Sequence, residues 1–175
     1  KTGLPVSGYI SVDDTGARHK GNNGYCTQIG NELFTWFQSG DKKNRVNFLK
    51  LLQAGERDYR ITEDAISYMA SQSLKKCHID ALKNTTPLTF PTDQEWATQL
   101  QHLGITGARH SRIATEGALI GSLLSHDFMK KMVILSDDAG QFNVLTHALC
   151  WVHAERTIHK LNPVNDKQRV LKEQA

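Results

Sequence analysis

The sequence carries two stretches that decide its predicted fold: Gly8-Tyr9-Ile10-Ser11-Val12-Asp13-Asp14-Thr15-Gly16 and Met132-Val133-Ile134-Leu135-Ser136-Asp137-Asp138-Ala139-Gly140. Each is a short apolar run that ends in two aspartates and a glycine, which is typical of a buried strand reaching the edge of a sheet. If the two strands lie side by side, their carboxylates meet at one edge. Because carboxylate oxygens suit Mg²⁺ or Mn²⁺, the two stretches predict a divalent-metal site.

Only one aspartate of each pair is expected to be a principal ligand. Adjacent residues of a strand point to opposite faces of the sheet, so the two carboxylates of a pair diverge. Asp13 and Asp137 hold equivalent places and are predicted to bind the metal. Asp14 and Asp138 are predicted to cap the following turn or to bind through water. A single pair would be equally consistent with a turn, and the second pair favours the metal site.

The segments around these stretches predict a sheet interrupted by helices. Strands are expected at 9–14, 24–30 and 32–37, with turns at 21–24 and at Gly30-Asn31. The helical pattern predicts a helix capped by Ser39 or Asp41, others capped by Thr62 and Thr92, a short helix at 76–83, a helix at 110–126 and a last one from about Leu145 to Leu161.

These elements define an α/β fold. We expect a mixed sheet built from a three-strand meander and a fourth strand at 132–136, flanked by helices. A long helical insertion, roughly 55–108, separates strands three and four and is expected to stand partly as its own subdomain.

A second group of reactive side chains lies in His147–Arg156. Cys150 and His153 are three residues apart on the predicted last helix, and hence on one face. Two ligands are too few for a structural zinc, so we interpret them as a small buried cysteine and a hydrogen-bonded histidine near the site. Glu155 lies about 200° round the helix from His153 and is expected on the surface.

The composition restricts the class of protein. The chain has 175 residues and a net charge of +3, which suits one domain and is compatible with a nucleic-acid partner. Three scattered cysteines indicate a reducing cytoplasm rather than a disulfide framework. No apolar run approaches the roughly 18 residues of a membrane span, so no membrane partner is expected. Because the chain starts at Lys1 without Met, we interpret it as a piece of a longer protein.

Three motifs together resemble a known family: VDDTGARHKGNNGY (12–25), VILSDDAGQF (133–142) and HALCWVHAER (147–156). They resemble bacterial insertion-sequence transposases of the DDE type, and the insertion-sequence-66 group most of all. The resemblance implies a ribonuclease-H-like core whose two aspartates and one glutamate bind two Mg²⁺ or Mn²⁺ ions. Asp13 matches the first aspartate, Asp137 the second, and Cys150 with His153 a cysteine-x-x-histidine element.

The resemblance also implies a function. We expect metal-dependent cleavage and strand transfer of DNA at insertion-sequence ends, with transposon ends and target DNA as partners, in the bacterial cytoplasm and as an oligomer of the full-length protein. The family's downstream glutamate has no counterpart here, and the amino-terminal DNA-binding part is also expected to be missing. Residues 1–175 are therefore predicted to be a single, incomplete and inactive core. The alternatives are a non-catalytic DNA- or protein-binding module from a decayed element, or a ribonuclease-H-like nuclease.

Overall fold

The computed structural model describes residues 3–19 and 21–174. After a 3₁₀ turn at Leu4–Val6, the elements in chain order are β1 (Tyr9–His19), β2 (Asn22–Gly30), β3 (Thr35–Gly40), α1 (Arg45–Leu52), β4 (Tyr59–Arg60), α2 (Glu63–Ser71), α3 (Lys76–Lys83), β5 (Thr89–Phe90), α4 (Asp93–His102), α5 (Ala108–Leu124), α6 (Asp127–Lys131), β6 (Val133–Ser136), β7 (Thr146–Leu149), α7 (Trp151–His159) and α8 (Asp166–Glu173).

A five-stranded mixed sheet organises the molecule, in the order β3-β2-β1-β6-β7. The first three strands form the predicted antiparallel meander, in which β1 pairs with β2 from Ser11↔Gly30 to His19↔Asn22. Strand β6 then lies parallel to β1, and β7 lies parallel to β6. The predicted α/β class and the adjacency of the two aspartate-bearing strands are confirmed.

The two faces of the sheet differ in exposure. Along β1, Ile10 and Val12 are buried, whereas Tyr9 is 40% exposed. We call the face that carries Ile10 the covered face, because it joins one hydrophobic cluster with residues of α1, α2 and α5. The opposite, open face carries Tyr9 and also Phe37, which is 63% exposed.

The helical insertion packs on the covered face and has local signals that explain its helices. Asn44, Thr62 and Thr92 cap α1, α2 and α4, each accepting a hydrogen bond from the backbone amide three residues later. Strands β4 and β5 pair as a small separate sheet between these helices. Helix α5 is buried along most of its length, and its small residues allow close packing. None of the helices in the described ranges is long and apolar enough to cross a bilayer.

Several predicted boundaries were wrong. Asn44 caps α1, not Ser39 or Asp41, because its side chain accepts the amide of Asn47 at 2.9 Å. The third strand begins at Thr35 rather than at 32, since residues 31–34 form the hairpin turn.

The predicted turn at 21–24 lies mostly within β2, with Gly21 at φ +81° and His19 opposite Asn22. Lys20 is outside the described residues.

The largest error concerns residues 145–150, which were predicted to start the last helix. Residues 146–149 form β7, a fifth strand that pairs along its whole length with β6. Leu145 has φ +54°, a left-handed conformation that a helix cannot contain. The last predicted helix therefore begins only at Trp151.

Candidate functional site

The register of the parallel strands places the two predicted ligands next to each other. The paired residues run from Tyr9↔Val133 to Ser11↔Leu135, and Asp13 and Asp137 each follow two positions after the last pair. Asp13 lies inside β1, opposite Gln28 of β2, because β1 continues to His19 and does not end at residue 14 as predicted. Asp137 directly follows β6. Neighbouring strands lie about 4.8 Å apart, so the two backbones are close near these aspartates. The part of the sheet around Asp13 and the carboxyl end of β6 is the candidate site, and we call it the acid edge.

Both predicted ligands use one carboxylate oxygen for a local backbone contact. Asp13 is exposed, and its Oδ1 accepts the amide of Asp14 at 2.8 Å. Asp137 is half-buried, and its Oδ1 accepts the amide of Ala139 at 3.1 Å, which fixes the turn after β6. Within the described residues, the second oxygen of each carboxylate makes no hydrogen bond to the protein and is free for a ligand.

Asp14 has a different role from the turn cap that was predicted. Its side chain lies on the covered face, where Oδ1 accepts the hydroxyl of Thr27 and Oδ2 accepts the amide of Gln141 at 3.0 Å. Both oxygens are therefore held by the protein, and Asp14 ties the middle of β1 to the loop that follows β6. Asp138 is exposed.

The third predicted group also reaches the acid edge, in a geometry that differs from the prediction. Cys150 is the N-cap of α7 and continues β7, so the Ser136↔Leu149 register sets it opposite Asp137. Its amide donates to the carbonyl of Ser136 at 2.7 Å. His153 lies in the first turn of α7, with a buried Nδ1 that has no partner among residues 3–19 and 21–174. The two residues are not on one helix face, because only His153 belongs to the helix.

Another histidine, which the sequence reasoning passed over, supports this edge. The ring Nε2 of His147 lies 2.8 Å from the Ser136 hydroxyl, and that hydroxyl also donates to the carbonyl of Asp137 at 2.6 Å. Glu155, by contrast, lies on the surface as expected, with its Oε1 3.6 Å from Nε2 of His159.

A buried charge network connects the helical insertion to the acid edge. Glu116 on α5 is 1% exposed, and its carboxylate accepts the hydroxyl of Tyr68 at 2.6 Å and Nη1 of Arg112 at 3.1 Å. Nη1 of Arg45 lies 3.6 Å from the same carboxylate, and Nη2 of Arg45 donates to the carbonyl of Gly140. Arg45 therefore holds the loop that begins with Asp137.

The protonation of Tyr68 reflects this network. Burial, followed by the hydrogen bond and the charge of Glu116, raises the pKa of Tyr68 to about 12. The phenol is therefore neutral at physiological pH and remains a donor to Glu116.

The donor set at the acid edge fits Mg²⁺ in part. Mg²⁺ is commonly held by one or two carboxylates, several waters and the phosphates of its substrate, which suits Asp13 and Asp137. A group of three or more His, Cys, Asp or Glu side chains able to hold a metal does not occur in the described ranges. The edge therefore suits an ion whose remaining ligands come from outside these residues.

Long-range contacts contribute the parts of the site that sequence reasoning missed. Gln141 is 127 residues from Asp14, and Arg45 is 95 residues from Gly140. No local pattern marks such pairs. The one available signal was Gln141 itself, which directly follows the second aspartate motif.

The fold and the acid edge define an α/β protein with a five-stranded mixed sheet and paired aspartates on adjacent parallel strands. The chain is 38% identical over 168 residues to a protein of Sinorhizobium fredii (strain NBRC 101917 / NGR234) named "Uncharacterized protein y4jO". The match covers 95% of this chain and 52% of the relative, so the chain spans about half the length of that protein. No family model and no solved structure matches the chain.

Proposed function

We propose that this chain is the catalytic-core portion of a DDE-type DNA transposase with a ribonuclease-H-like sheet. The observation that carries the proposal is the parallel pairing of β1 with β6, in which Asp13 and Asp137 each follow two positions after the last paired residues, Ser11 and Leu135. The strand order, a meander followed by two parallel strands on the far side of β1, supports the same assignment.

Each residue of the acid edge has a role in this proposal. Asp13 and Asp137 would hold Mg²⁺ or Mn²⁺ through the carboxylate oxygens that the protein leaves free. A divalent metal held there would supply Lewis-acid chemistry, which would lower the pKa of an attacking water or 3′-hydroxyl and stabilise the leaving oxygen of a phosphodiester. Asp14, Gln141 and Arg45 would keep β1 and the loop after β6 at a fixed separation.

The activity of the whole protein requires more than these residues. A third acid, DNA ends and target DNA, and an oligomer belong to the full-length protein in this proposal. This agrees with a relative almost twice as long as the matched region. The chain by itself is therefore expected to bind the metal but not to transfer strands.

Titration calorimetry with Mn²⁺ tests the assignment. Asp13→Asn and Asp137→Asn keep the size of the side chain and remove its charge, so each variant should lose Mn²⁺ binding by at least about tenfold. Asp166→Asn is a matched control, because Asp166 is a highly exposed aspartate on α8. Unchanged Mn²⁺ affinity in both acid-edge variants would rule out the proposed site.

A non-catalytic DNA- or protein-binding module is the second candidate. The lack of a three-ligand metal group among residues 3–19 and 21–174 favours it. Mn²⁺ binding separates the candidates, since a module without catalysis has no need of a cation between Asp13 and Asp137. A ribonuclease-H-like nuclease would bind the metal as well, and a strand-transfer assay of the full-length protein would distinguish it.

A further inference from the structure

A groove of about 750 Å³ lies between the β2–β3 edge of the sheet and α1. Its walls combine two aromatic residues of the sheet, Tyr25 and Trp36, with three cationic residues, Lys42, Lys50 and Arg57. The acid edge and its supporting network use none of these residues. We propose that the groove binds a single strand of nucleic acid, whose bases stack on the aromatic rings and whose phosphates contact the cations.

The aromatic rings are placed to stack bases. Trp36 is 39% exposed and lies on the covered face, opposite the buried Ile29. Tyr25 is half-buried and lies opposite Gly40, which has no side chain to cover the ring. The four residues from Trp36 to Gly40 place the two rings about 13 Å apart along the strands. At the rise of stacked bases, roughly four nucleotides span that distance.

The cations outnumber the acid in the groove. Nζ of Lys50 lies 2.6 Å from Oδ2 of Asp93, so this lysine is already neutralised in part. Lys42 and Arg57 are exposed and form no ion pair within the part of the chain that the structure describes. With three cations and one acid, the groove has a net positive charge that suits an anionic ligand.

The combination of features favours a single nucleic-acid strand over other anionic partners. An acidic peptide would use the cations but would have no need of two flat aromatic rings, whereas every base offers a face for stacking. A duplex hides its base faces within the stack. On the covered face the groove extends as far as Asp14, because its wall residue Thr27 donates its hydroxyl to that carboxylate. The choice of DNA over RNA rests on the proposed function.

Fluorescence anisotropy with a labelled oligothymidylate, in the presence of a chelator, tests the groove without the metal site. Trp36→Leu should weaken binding by about 5- to 150-fold, the usual effect of losing one stacked base. Phe37→Leu is the matched control, because Phe37 is the next residue of β3 and lies on the open face. Melting temperatures of both variants verify that they fold.

The salt dependence of oligonucleotide affinity tests the phosphate contacts separately. Lys42→Ala and Arg57→Ala should each reduce the slope of log affinity against log salt by about 0.7, the value for one phosphate contact on a single strand. Lys83→Ala, an exposed lysine on α3 outside the groove, should leave the slope unchanged.

Two results would overturn the inference: equal affinity of Trp36→Leu and Phe37→Leu, or tighter binding of a duplex of the same length. Because the assay contains no divalent metal, a failure to detect oligonucleotide binding does not depend on metal binding at the acid edge. Loss of oligonucleotide binding in Trp36→Leu, together with unchanged Mn²⁺ binding in both Asp13→Asn and Asp137→Asn, would support the groove and rule out the proposed function.

Discussion

At the scale of single residues, Glu116 is the group whose replacement should cost the most stability. Its carboxylate is buried and is satisfied by Tyr68 and two arginines. Glu116→Ala leaves the charge of Arg45, a largely buried side chain, without a partner. We expect the free energy of unfolding, measured with urea, to fall by about 3 kcal/mol. Glu155→Ala removes an exposed partner of His159 and should change the free energy of unfolding by less than about 0.5 kcal/mol. Equal losses of unfolding free energy in the two variants would contradict the role given to Glu116.

The phenol of Tyr68 gives a second residue-scale prediction. Its pKa is raised to about 12 in the folded protein, compared with about 10 in an unfolded chain. The raised pKa contributes stability that is complete below pH 10 and is lost as the pH rises towards 12. The difference in tyrosinate absorbance between the wild type and Tyr68→Phe should show a transition near pH 12. The transition should move to lower pH in Glu116→Gln. A midpoint of the Tyr68 transition near pH 10 in the wild type would contradict the contact between Tyr68 and the carboxylate of Glu116.

At the scale of elements, helix α5 depends on glycines at its contacts with β4 and α2. A methyl group at Gly121 would collide with the carbonyl oxygen of Arg60 and lie 2.8 Å from Oγ1 of Thr62. Gly121→Ala should therefore destabilise the protein by about 1–2 kcal/mol, although alanine favours a helix. Gly16→Ala, in a strand with open space around it, should leave the melting temperature unchanged or slightly higher. A stabilised Gly121→Ala variant would show that α5 does not approach β4 so closely.

The elements also show where sequence reasoning succeeds and where it fails. Thr62 and Thr92 each precede an amphipathic run and can be recognised as caps from local sequence alone. Strand β7 could not be recognised, because Thr146–Leu149 has no alternating apolar pattern and its pairing with β6 decides its conformation. The left-handed Leu145 that ends the preceding loop has no signature in sequence either.

At the scale of the whole molecule, helix α1 should control the acid edge through Arg45. Arg45→Met removes the donor to Gly140 and keeps most of the side-chain bulk. We expect amides of residues 138–142 to exchange with solvent hydrogen at least about tenfold faster, because the loop loses its anchor. Arg112→Met is the matched control, since Arg112 binds the same Glu116 but has no hydrogen bond to the loop. Equal exchange rates in the two variants would show that Arg45 does not hold this loop.

The acid edge itself could be predicted in part. Asp13 and Asp137 follow apolar runs that were recognisable as strands, and the strands are neighbours as expected. The partners of Asp14 and of the Asp137 loop could not be predicted, because Gln141 and Arg45 meet them only after the whole chain folds. Their proposed role as metal ligands remains a prediction.

Paramagnetic broadening by Mn²⁺ in an amide NMR spectrum tests the central claim most directly. One Mn²⁺ ion bound by both aspartates should broaden the amide signals of residues 13–14 and 137–139 together, at the same low Mn²⁺ concentration. Asp13→Asn alone, or Asp137→Asn alone, should abolish the broadening of both groups of amides. Broadening confined to one of the two groups, or retained in both groups in the two variants, would contradict a shared cation site.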